Sequence, residues 1–155
     1  MIEKTIVPHD KGDDNRVREA LLSPDYIPQE SEPYMGPDHL EYFRQKLLAW
    51  RHHLLKESFE TIHHMQEQNG HESDMADRAS TETDRTLELR TRDRERKLIS
   101  KIDEALHKIE DGTYGYCEET GEPIGLHRLM ARPIAALCIE AQERHERDER
   151  THRDD

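Results

Sequence analysis

The chain is poor in most of what builds an ordinary folded domain. Its 155 residues include 2 cysteines, 7 glycines and 7 prolines, with 5% aromatic and 32% apolar residues. Two cysteines, Cys117 and Cys138, make no disulfide framework and suit a reducing compartment. No apolar run approaches the ~18 residues needed to cross a bilayer, and Met1-Ile2-Glu3-Lys4 is followed by no signal-peptide core. A cytoplasmic protein with no membrane partner is expected. An apolar content well below the usual ~45–50% excludes a compact single-core enzyme, and no Ser-His-Asp, P-loop or dinucleotide signature is present. With 35 acidic against 23 basic residues the net charge is -12. That excess argues against direct DNA binding, which needs clustered cations to displace phosphate counterions. A protein partner is the better expectation.

What is present is helical patterning. Proline occurs at 8, 24, 28, 33 and 37 and then not again until Pro123 and Pro133, and between 38 and 111 the only glycine is Gly70. Proline and glycine are the costliest residues in a helix interior, so two long helices meeting near Gly70 are predicted. The fold class is all-α: an antiparallel coiled-coil hairpin over 38–110 with its tip at about 70–79. Residues 1–37 form an irregular N-terminal segment with a short helix near Val17–Leu22, 111–132 a small knob, and 133–155 a C-terminal helix and tail. Asp38 and Glu41 read as a capping box opening the first arm. Its seam is Leu40, Phe43, Leu47, Trp50 and Leu54, continued after a one-residue drift by Leu55, Phe59, Ile62 and Met65. The return arm carries Leu98, Ile102, Ala105, Leu106 and Ile109, with Gly112 as C-cap. About 30 residues per arm at ~1.5 Å each give a rod of ~45 Å. Pro133 is read as the first residue of the closing helix, with Glu140/Arg144, Glu143/Arg147 and Glu146/Arg150 as i,i+4 pairs.

Four groups of residues invite a functional reading. At the tip, Asp74 and Asp77 share a helix face three residues apart, although Asp is also common in loops and caps. A narrow rod of this length could carry them into a deep channel. On the return arm Arg90, Arg92, Arg94, Arg96, Lys97 and Lys101 gather six cations; a solvated face is the default, yet Arg94, Lys97 and Lys101 lie on one stripe, Arg132 lies next to the knob, and such a set could hold a polyphosphate. In the knob, Cys117 and Cys138 have Thr120 and Ala141 three residues on, where a zinc finger would place its second cysteines. His127 is a distant third ligand, so zinc is disfavoured, and Tyr114, Tyr116, Ile124, Leu126 and Leu129 should hold the knob, with Thr120 as a hydrogen-bonding substitute. A Cys117–Cys138 disulfide is disfavoured by compartment. His52-His53 and His63-His64 point to different faces of a helix and make poor chelates.

Several segments together resemble the DksA/TraR-type regulators of bacterial RNA polymerase. They are Glu41-Tyr42-Phe43-Arg44 through Leu48-Ala49-Trp50-Arg51, His64-Met65-Gln66, Asp74-Met75-Ala76-Asp77-Arg78-Ala79, Leu87 through Ile99 with its R-D-R-E-R-K-L-I run, Gly115-Tyr116-Cys117, and Ala131-Arg132-Pro133. The resemblance covers about residues 30–145. It implies a non-enzymatic factor that inserts its coiled coil through the secondary channel, against the rim of the beta-prime subunit, destabilises promoter open complexes and potentiates the alarmone ppGpp in the stringent control of ribosomal RNA promoters. By position, Asp74, Asp77 and Ala79 would be the tip acting near the polymerase active centre, and Arg94, Leu98, Lys101 and Arg132 the ppGpp contacts. Gln142 departs from the pattern, standing where many members have lysine. The finger departs too, with Cys117, Thr120, Cys138 and Ala141 in the manner of a cysteine-poor, zinc-independent type, so no cofactor is expected. A monomer is the expected state. A transcript-cleavage factor of the same channel and a structural coiled-coil adaptor are the alternatives.

Overall fold

The computed structural model describes residues 22–68 and 75–153. Four helices follow one another: α1 Pro37–Gln68, α2 Met75–Asp111, α3 Leu126–Ala131 and α4 Ile139–Arg153. Beyond them, the described residues hold only an isolated antiparallel bridge between Tyr116 and Pro123. The all-α architecture is thus as the breaker distribution predicts. The hairpin arms run antiparallel, since Arg51 pairs with Asp103 at 2.7 Å near the base and His64 with Glu88 at 3.7 Å farther out. With 32 and 37 residues, the arms extend ~48 and ~55 Å.

The ends of the arms follow local rules, one of them unexpectedly. Helix α1 begins at Pro37, with Gly36 as its cap: the Gly36 carbonyl accepts from the Leu40 N–H at 3.0 Å. Proline fits this first helical position because its missing N–H is one the helix cannot use. The expected Asp38/Glu41 capping box does not form, since the buried Glu41 carboxylate is taken by Arg44 at 2.8 Å and by Gln45 at 3.1 Å. Helix α2 ends as predicted. Gly112 has φ +77°, and the Thr113 N–H reaches the Lys108 carbonyl at 2.9 Å, the 6→1 bond of a Schellman motif.

Phe43, Leu47 and Leu54 of α1 and Ile102 and Ala105 of α2 are buried, and they are continuous with Tyr114, Cys117, Ile124, Leu126, Leu129, Cys138 and Ala141 of the knob. Phe43 packs on the Tyr114 ring at 5.5 Å. The core therefore sits at the base of the rod. Beyond Leu54 the expected drift does not occur. The partly buried positions continue at Ser58, Thr61, Ile62 and Met65, while Leu55 is 43% and Phe59 69% exposed. A straight helix returns to the same face after 3.6 residues, which selects Ser58 and turns Leu55 and Phe59 outward.

Residues 22–36 strap the knob to the hairpin. The Tyr34 hydroxyl donates to the Gly115 carbonyl at 2.6 Å and accepts from the Gly125 N–H at 3.0 Å. Met35 presses so close to Gly115, whose φ is +91°, that a Cβ there would lie 2.6 Å from Met35 Cγ. Tyr116 differs from expectation in being 37% exposed, its ring edge-on to Tyr34 at 5.8 Å rather than inside the knob. The larger correction concerns the closing helix, which starts at Ile139 and not at Pro133. The intervening loop is held open because its carbonyls serve the knob: Pro133 accepts from the Tyr114 hydroxyl at 2.7 Å, Ala136 from the Glu118 N–H at 2.9 Å and Leu137 from Arg128 Nε at 3.0 Å. Along α4, Arg144 reaches Glu119 at 3.9 Å, and Glu146 accepts from Gln142 at 3.0 Å, in place of the first and third expected i,i+4 pairs.

Candidate functional site

Asp74 lies outside the described residues, as do Gly70 and residues 17–21, where most of a short N-terminal helix is expected. Asp77 falls in the first turn of α2, and Ala79 is exposed on the same helix. By backbone, Asp77 and Ala79 stand 25 and 23 residues before the buried Ile102, near the start of α2.

At the opposite end, a cleft of about 260 Å³ opens where α2 meets the knob and α4. Lys101, Arg132 and Gln142 line it together with Lys108, Glu118 and Arg128. Helix α2 brings Lys101 one residue before the buried Ile102. Arg132 is the C-cap of α3, its N–H bonded to the Arg128 carbonyl at 2.8 Å. Gln142 is in the first turn of α4, where its N–H donates to the Cys138 carbonyl at 3.0 Å. The structure therefore unites Lys101 and Arg132, which the sequence separates by 31 positions. Leu98 is half-buried against the core one turn outward, and Arg94 is exposed beyond it, outside the cleft. Lys108 and Arg128 are lining residues that sequence reasoning missed. A signal existed for Arg128, a second arginine four residues before Arg132.

The finger positions form a third locality. Ala141 is fully buried, Cys117 and Cys138 are buried free thiols, and Thr120 Oγ1 lies 3.9 Å from Cys138 Sγ. Burial pushes the Cys117 thiol up, but the Thr120 hydroxyl and the N–H groups of Cys138, Thr120 and Glu119 outweigh it and draw the pKa down to about 6. The amide cradle of a metal thiolate is present without its ligands. Structural zinc wants four Cys or His donors in a tetrahedron; two thiols, a hydroxyl and a packed methyl do not supply them. His127 is no substitute, being exposed and directed at Glu30 at 3.0 Å. No group of three or more His, Cys, Asp or Glu able to hold a metal occurs among the described residues. His145, in contact with Glu119, ties α4 to the same turn, and that carboxylate raises the imidazole above the usual histidine value.

No helix among the described residues is long and apolar enough to cross a membrane. Residues 39–109 match the family model of the N-terminal domain of the DnaK suppressor protein DksA, and 112–147 that of the prokaryotic dksA/traR C4-type zinc finger. The chain is 67% identical over 131 residues to the RNA polymerase-binding transcription factor DksA of Caulobacter vibrioides, covering 84% of this chain and 92% of that one. It is 48% identical over 117 residues to the protein of the same description from Escherichia coli, covering 76% and 78%. Among solved structures, transcription factor DksA2 from Pseudomonas aeruginosa superposes with a TM-score of 0.71 at 42% identity, covering 88% of this chain and 98% of that one.

Proposed function

The chain belongs to the DksA family, and from that premise we propose that it binds RNA polymerase and regulates transcription without chemistry of its own. The observation that carries the reading is the division of labour along the rod: a packed base bearing a basic cleft, and a slender hairpin about 50 Å long whose far end holds Asp77 and Ala79. Such a lever suits entry into the secondary channel, with Asp74, Asp77 and Ala79 near the polymerase active centre and the base resting on the beta-prime rim. Negative side chains delivered there destabilise open complexes by perturbing the surrounding charge. Lys101 and Arg132 in the cleft, with Leu98 and Arg94 along α2, are proposed to face ppGpp at the polymerase surface, because clustered cations at the edge of a cleft suit a polyphosphate. Gln142 leaves one corner of that cleft uncharged. The factor is proposed to act in the cytoplasm as a monomer, with no DNA contact of its own.

In vitro transcription from a ribosomal RNA promoter, with and without ppGpp, tests these assignments. Asp74→Asn combined with Asp77→Asn should abolish inhibition while co-purification with polymerase persists; undiminished inhibition refutes the tip assignment. The knob is proposed to fold without zinc, given its misfit donors. Thermal unfolding should be unchanged by a strong chelator, whereas a large drop in midpoint would show a bound structural metal.

A further inference from the structure

We propose that Arg128 is a phosphate-contacting residue of the base cleft, supplying the positive charge that Gln142 does not. The inference deepens the polyphosphate reading above and rests on it. The cleft wall contains Lys101, Lys108, Arg128 and Arg132 against the carboxylates of Glu104 and Glu118, an excess of cations in a chain whose net charge is -12. Glu118 is already paired with Lys108, and Glu104 is exposed to solvent. The cleft is therefore a positive spot on an acidic molecule, the condition for drawing in an anion.

Within it Arg128 is placed differently from the exposed Lys101 and Arg132. It is half-buried, and its Nε donates to the Leu137 carbonyl at 3.0 Å. That bond uses one of five guanidinium N–H groups. The two Nη groups have no protein partner among the described residues, so the fork that matches phosphate oxygens in pairs remains open. Anchoring at Nε fixes the head before any ligand arrives, and partial burial lowers the screening that weakens a charge in open water. Arg132 follows four residues later, at the extended C-cap of the same helix, and both side chains line the cleft. A residue serving only to tether the 133–138 loop needs a single donor there, and glutamine can offer one.

The test titrates ppGpp into transcription reactions containing polymerase and the full chain, each variant's response being normalised to its own inhibition without ppGpp. Arg128→Gln should raise the half-maximal ppGpp concentration by about tenfold or more, the size of one lost charged hydrogen-bond pair. Adding Gln142→Lys to Arg128→Gln should recover most of that loss, which relocation of a charge achieves and repair of a loop tether does not. Gln142→Lys alone, on the surface of α4, should change the response by less than about threefold, since Arg128 already meets the need. A normal response in Arg128→Gln, failure of the double variant to recover, or a large gain from Gln142→Lys alone overturns the role of Arg128. Indifference of the unmodified protein to ppGpp overturns the polyphosphate reading as well, so the two failures are distinguishable.

Discussion

The two halves of the hairpin are built from the same pair of helices but held by different forces. Near the base, Phe43, Leu47 and Leu54 meet Ile102 and Ala105, none more than 6% exposed. Toward the tip the inner stripe of α2 runs through Thr81, Arg85, Glu88, Arg92 and Glu95, partly buried and polar, opposite Ser58, Thr61, Ile62 and Met65. Glu88 Oε2, Arg92 Nε and Glu95 Oε2 are shielded from solvent without a hydrogen-bond partner. Such groups give up hydration for little return. The base is therefore a clamp, and the outer half is a rod held mainly by its own backbone. Stability should fall along its length, as it commonly does between a core and a working extremity.

Four variants probe this contrast, the largest effect first. Leu47→Ala or Ile102→Ala should each cost about 2–5 kcal/mol in denaturant unfolding, through lost burial and the cavity left behind. A cost below about 1 kcal/mol would mean that the base is no firmer than the tip. Replacing Glu88, Arg92 and Glu95 together by leucine should leave thermal stability unchanged or raise it by about 1 kcal/mol, since apolar contacts then replace imperfectly paired charges. A marked fall in midpoint would show the polar seam to be a net source of stability. Phe59→Ser, on the outward face, should shift stability by no more than about 0.5 kcal/mol, and a larger loss in the unfolding curve would reveal a neighbour packed against that face.

The hairpin was legible because it rests on local rules. Freedom from proline and glycine, the three-and-four spacing from Leu40 to Leu54, and Gly112 as terminator each act within a turn or two of helix. Apolar spacing alone points to Leu55 and Phe59, whereas the helix repeat leads to Ser58, which has no apolar side chain to betray it. Pro133 misled for the complementary reason. Its sequence suits a helix start, but the carbonyls of Pro133, Ala136 and Leu137 are claimed by Tyr114, Glu118 and Arg128 from distant positions in the chain. The cleft was half legible. Lys101 and Arg132 stand out by charge and by resemblance, while Lys108 and Arg128 join them only where α2, α3 and the 133–138 loop close around one space.

The sequence by itself determined that this chain makes two long helices turned back on each other, that it keeps its apolar residues in a narrow stripe, and that its finger lacks two thiols. Those properties depend on backbone propensity, periodicity and residue identity, all local. Only the tertiary structure decided how the Tyr34 segment is strapped to the knob, where the last helix begins, and which cations share a cleft. Each of those outcomes depends on groups far apart in the chain competing for the same buried surface, carbonyl or charge, and no short stretch of sequence holds both competitors.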